Sequence, residues 1–71
     1  MPYYEDDIDK LVNGYKMVHH MGETFYVDRN TNITYMLCSF YKSEDEEPER
    51  AWRLEEVGTY VKECSRIVLR H

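Results

Sequence analysis

The chain has 71 residues, with 14 acidic against 9 basic side chains and a formal charge of −5 at pH 7. That length allows a single domain over residues 1–71, one that buries only roughly 60% of its unfolded surface and has little stability to spare. The acidic balance argues against direct binding to a nucleic-acid backbone or an anionic membrane, and no apolar run is long enough to cross a bilayer.

Only Cys38 and Cys64 are available for a disulfide, whereas a disulfide scaffold of this size normally carries four or more cysteines. Met1-Pro2-Tyr3-Tyr4 leads directly into Glu5-Asp6-Asp7, without the basic stretch and apolar run of a secretory signal. Together these features predict a cytoplasmic protein with reduced thiols.

Asp6 or Asp7 caps a short helix in which Ile8, Leu11 and Val12 share a face, and Gly14 ends it. From Tyr15 to Met21 the residues alternate and predict a strand, closed by a turn at Gly22. Thr24–Val27 and Ile33–Tyr41 are rich in β-branched and aromatic residues, and Asp28-Arg29-Asn30-Thr31-Asn32 between them is turn-forming, which predicts a hairpin. In its second strand Ile33, Tyr35, Leu37 and Ser39 face one way and Thr34, Met36, Cys38 and Phe40 the other. Both faces carry apolar groups, so this strand is expected to be central or to be covered by a second subunit.

Residues Phe25-Tyr26-Val27-Asp28-Arg29-Asn30-Thr31-Asn32-Ile33-Thr34-Tyr35 resemble the central hairpin of a WW domain. Tyr35 stands where that family has its second tryptophan, and no tryptophan or Pro-rich lead-in precedes the segment. The resemblance therefore implies the hairpin alone, with no proline-rich ligand and no binding residue.

After the acidic run Glu44-Asp45-Glu46-Glu47-Pro48-Glu49, residues Leu54, Val57, Tyr60, Val61, Cys64, Ile67 and Val68 follow the spacing of a broad helical stripe. Pro48 suits a first turn, and the acids before it suit the positive end of a helix dipole. The pattern predicts a longer C-terminal helix. Gly58 costs such a helix about 1 kcal/mol, and an alternative reading breaks the helix there and makes Ile67-Val68-Leu69 a short final strand. The pattern leaves residues 59–69 open between helix and strand. The expected fold is α+β: a three-stranded antiparallel sheet between a short N-terminal helix and a longer C-terminal helix.

For chemistry the sequence offers little. His19, His20, Cys38, Cys64 and His71 are of metal-ligating type, but adjacent histidines on a strand face opposite sides and no C-x-x-C or H-x-x-x-H pairing exists. No metal and no cofactor are expected. Both cysteines fall on apolar stripes and are read as buried, not as nucleophiles, and no glycine-rich phosphate loop is present. The chain is therefore not expected to be an enzyme.

Two features go beyond a featureless domain: the acidic runs and the seven tyrosines. The leading expectation is a small interaction protein, of the style of phage or mobile-element accessory proteins, that binds and inhibits a larger host protein. The target would be a nuclease or another nucleic-acid enzyme whose basic groove is occupied by Glu5, Asp6, Asp7, Asp9, Glu44, Asp45, Glu46 and Glu47 beside Tyr41, imitating spaced phosphates. The alternative is a homo-oligomeric binder of a small nucleotide-like ligand. There Arg50, Arg53 and Arg66 pair with phosphate and Trp52 supplies an aromatic surface, within a basic cluster that also includes Lys62 and Arg70.

Overall fold

A computed structural model of the chain describes residues 7–41 and 50–70, together with the backbone but not the side chains of Phe40, Tyr41 and Arg50. The chain runs from a one-turn helix α1 (Ile8–Leu11) through β1 (Tyr15–His20), β2 (Glu23–Asp28), β3 (Ile33–Tyr41) and β4 (Arg50–Val61). A 3-10 turn (Lys62–Cys64) then leads into β5 (Arg66–Leu69). Among the described residues the strands form one antiparallel sheet in the order β1-β2-β3-β4-β5, curled into a half-barrel.

This corrects the expected three-stranded sheet with a longer C-terminal helix. Where that helix was expected, the chain forms the 12-residue strand β4, which lies between β3 and β5. Trp52, Val57, Thr59, Tyr60 and Val61 are β-branched or aromatic, and two flanking strands satisfy the backbone that a helix would have paired internally. Gly58 allows β5 to approach: a Cβ at this position would lie 2.1 Å from the carbonyl oxygen of Val68 and 2.9 Å from the Cα of Leu69. The residues read either as helix or as a final strand, Ile67-Val68-Leu69, belong to β5.

Thr34 pairs with Gly58 and Tyr35 with Glu56, so Val57 has no partner and forms a β-bulge. Bulges bend a strand and increase its twist, and here the bend falls where Arg70 N–H, just past β5, donates to Val57 C=O at 2.7 Å. The sheet therefore curls around a core of Phe25, Val27, Tyr60 and Ile67, against which Val18, Met36 and Val57 pack. Phe25 and Val27 are each 1% exposed. Each fully buried large apolar side chain of this set contributes roughly 1.5–3 kcal/mol to folding.

Local signals place the remaining elements. The Asp7 carboxylate accepts from Asp9 N–H at 3.0 Å and caps α1, whose Leu11 is buried. Met21 and Gly22, both at positive φ, reverse the chain between β1 and β2. With apolar groups on both faces, β3 takes the middle of the sheet.

Candidate anion-binding clefts

Local hydrogen bonds build the Asp28–Asn32 turn. Asp28 Oδ1 accepts from Asn30 N–H at 2.8 Å and from Thr31 N–H at 3.2 Å, and Thr31 Oγ1 accepts from Ile33 N–H at 3.2 Å. Asn32 N–H donates to Asp28 C=O at 2.8 Å, and Asn32 itself takes a left-handed φ of 64°, which asparagine tolerates better than most residues. Asn32 C=O then accepts from Tyr60 N–H at 2.8 Å, tying the turn to β4. Arg29 thus extends from a backbone fixed on both sides.

Two clefts meet at Arg29. The smaller, of about 140 Å³, is lined by Lys16, Val27, Arg29, Asn32, Tyr60 and Lys62. The larger, of about 320 Å³, is lined by Asn13, Gly14, Tyr15, Asp28, Arg29 and Asn30. Tyr15 pairs with Asp28 and Lys16 with Val27, so successive cross-strand pairs send their side chains to opposite sheet faces. The clefts accordingly lie on the two faces of the end of the β1–β2 hairpin, and Arg29, in the turn beyond the strand ends, borders both.

The smaller cleft is electrostatically distinct in a chain of formal charge −5. Its floor is apolar, with Val27 and Tyr60 both buried, and three exposed cations surround it. Lys16 Nζ stands 5.0 Å from the centroid of the Tyr60 ring, a cation–π distance. Among the described residues no carboxylate lies within ion-pair distance of Lys16, Arg29 or Lys62. Three cations around one concave surface raise the local concentration of anions. In the larger cleft the Tyr15 ring meets Tyr35 edge-on, with centroids 5.7 Å apart at 89°. Burial first, and then the charges of Tyr15, Glu56 and Asp28, push the Tyr35 phenol above its ordinary value of 10.0.

The residues expected to bind a partner are placed only in part. Asp7 and Asp9 are exposed at α1, and Tyr41 ends β3 opposite Arg50 of β4. Glu5, Asp6, Glu44, Asp45, Glu46 and Glu47 lie outside the described residues, the last four in the segment that connects β3 to β4.

The basic and aromatic set of the alternative is spread out. Trp52 pairs with Ser39 and Arg53 with Cys38, so these neighbours face opposite sides of β4. Arg66 pairs with Val61, eight residues and roughly 26 Å along the strand from Arg53. Arg53 also approaches Glu55 at 3.9 Å, and Arg70 pairs with Glu56. Among the described side chains of the expected basic cluster, Lys62 joins the cleft. Lys16 and Arg29 were missed because residues 16, 29 and 62 meet only through strand register; the sole sequence signal was a cation in the middle of a turn otherwise made of Asp, Asn and Thr.

The histidines and cysteines take other surroundings. The His19 Nδ1 and Thr24 Oγ1 atoms are hydrogen-bonded at 3.1 Å across the β1–β2 pair, and His20 lies beside Phe25, with ring centroids 6.5 Å apart. Cys64 is exposed in the 3-10 turn, which corrects the expectation of burial. Cys38 is half-buried, and its thiol donates to Glu55 Oε2 at 3.2 Å. Burial first, then that hydrogen bond, raise the Cys38 thiol above its ordinary value of 9.0.

Among the described residues no helix is long and apolar enough to cross a membrane. No family model, curated protein or solved structure matches the chain.

Proposed function

We propose that this chain is a non-catalytic binding module that takes a small anionic ligand onto Arg29 and the clefts beside it. The observation that carries the reading is the meeting of Lys16, Arg29 and Lys62 around an apolar-floored cleft, with no carboxylate among the described residues within ion-pair distance of them. Preorganisation of the backbone favours binding, because the turn that carries Arg29 is fixed by its own hydrogen bonds and only side chains have to be ordered on association. Surrounding negative charge limits the site to compact anions and disfavours long polyanions. A second copy is not required, since both clefts form within one chain. The reading belongs to the cytoplasm, where Cys38 and Cys64 stay reduced.

The test is thermal unfolding in the presence of pyrophosphate. A ligand at 100 times its Kd adds about 2.7 kcal/mol to the native state, and each kcal/mol raises the midpoint of a domain this size by about 4–8 °C. Pyrophosphate is expected to raise the Tm by about 10 °C or more, and R29Q to remove the shift. An unchanged midpoint at millimolar pyrophosphate contradicts the reading.

A second reading keeps the acidic surface as a partner site that blocks a basic groove of a nucleic-acid enzyme. It is favoured by the exposure of Asp7 and Asp9 and by the run Glu44–Glu47 joining the paired ends Tyr41 and Arg50. Capture of such an enzyme from host lysate, released by high salt, is its expected mark; capture that salt leaves unchanged contradicts it.

A further inference from the structure

We infer that the anion taken at Arg29 is a nucleoside diphosphate, with its phosphates in the smaller cleft and its base in the larger one. This rests on the anion-binding reading just given and adds the ligand's class to it.

The two clefts divide their chemistry. Lys16 and Lys62 are confined to the smaller cleft, and their ammonium groups suit phosphate oxygens. Across Arg29, the larger cleft supplies Asn13 and Asn30, whose side-chain amides each offer both donor and acceptor, beside the Tyr15 ring. That combination recognises a flat heterocycle: amides read its hydrogen-bonding edge, and an aromatic ring fixed by a neighbour offers a surface for stacking. Edge-on contact with Tyr35 holds Tyr15 in place, so the surface does not have to be ordered on binding.

Geometry selects the length of the ligand. Because the clefts lie on opposite faces of the β1–β2 hairpin, a molecule occupying both must pass over the turn at Arg29. A single phosphate directly attached to its sugar reaches less far than a diphosphate, whose linker both crosses the turn and meets Arg29. The planar guanidinium fork matches two phosphate oxygens at that crossing.

Calorimetric titration of the full chain with a nucleoside diphosphate, the matching monophosphate, the nucleoside, pyrophosphate and ribose 5-phosphate tests the assignment. The diphosphate is expected to bind at least tenfold more tightly than any of the other four. Replacing both amides (N13A with N30A) is expected to weaken the diphosphate about tenfold while leaving pyrophosphate unchanged, whereas K62Q weakens both. Pyrophosphate binding as tightly as the nucleoside diphosphate overturns the inference and leaves the anion site standing. No binding by any of the phosphates overturns both. Short oligonucleotides of increasing length are titrated alongside, and affinity that climbs with their length assigns the surface to a polynucleotide and also overturns the inference.

Discussion

The ammonium group of Lys16 lies 5.0 Å from the ring centroid of Tyr60, although β2 and β3 stand between the strands that carry them. Three strand spacings in a flat sheet amount to about 14 Å. Curling of the sheet brings the two side chains together, and so creates the cleft. Loss of Lys16 or Lys62 should therefore affect binding without affecting folding. Both are exposed, so K16Q and K62Q are expected to change stability by no more than about 0.5 kcal/mol and to weaken pyrophosphate binding about tenfold each. Urea unfolding and calorimetry on the same samples check the two halves of this statement.

Asp28 separates turn-building from charge. Its Oδ1 accepts two backbone hydrogen bonds, so D28A should destabilise the domain by about 1–2 kcal/mol and weaken anion binding by freeing Arg29. D28N keeps an acceptor oxygen while removing a negative charge beside the site. It is expected to bind pyrophosphate more tightly than the natural chain, as measured by calorimetry at low salt.

Gly58 marks the closest approach of β4 and β5. The methyl group of G58A would collide with backbone atoms of Val68 and Leu69, which cannot move aside as a flexible side chain can. A loss of about 3 kcal/mol is expected, from overpacking and the disturbed ladder. A urea midpoint for G58A close to that of the unaltered chain would show that β5 does not pack as described.

Cys38 and Tyr35 carry a pH dependence of definite sign. Both groups are held above their ordinary values in the folded state, so the folded chain retains these protons better than the unfolded chain does. Their contribution to stability is fully present below the unfolded values. It falls as pH rises above about 9 for the thiol and about 10 for the phenol. Chemical unfolding at pH 8 and pH 10.5 should show the decline, and C38S with Y35F should reduce it. At pH 8 a thiol reagent is expected to modify exposed Cys64 well before Cys38, and E55Q to speed the modification of Cys38 by removing the adjacent carboxylate.

Part of this arrangement was legible from residue order. The Asp7 cap, and the Asp28–Asn32 turn with its flanking strands, depend on interactions within a few residues of one another, and local chemistry is what a sequence displays directly. Strand β4 was read as helix for a definable reason. A regular strand repeats every two residues, but the bulge at Val57 shifts the parity, so Val57 and Tyr60 both reach the core from positions three apart. That spacing is the one a helical face produces. The bulge depends on pairing with β3, which no window along β4 contains. The cleft was hidden by the same kind of separation: Lys16, Arg29 and Lys62 are brought together by four paired strands and a curl. The acidic run before β4 is visible in the sequence because its charges are contiguous, whereas the cations of the cleft are scattered along the chain.

The central claim is that anions bind where Arg29 joins the two clefts. Amide chemical shifts followed by NMR during a pyrophosphate titration test it most directly. Shifts at Lys16, Arg29, Asn32 and Lys62 that share one saturation curve, with Arg53 and Cys38 unmoved, are the predicted result. Saturable shifts centred on Trp52 and Arg53 or on α1, or no saturable shifts, would contradict the claim.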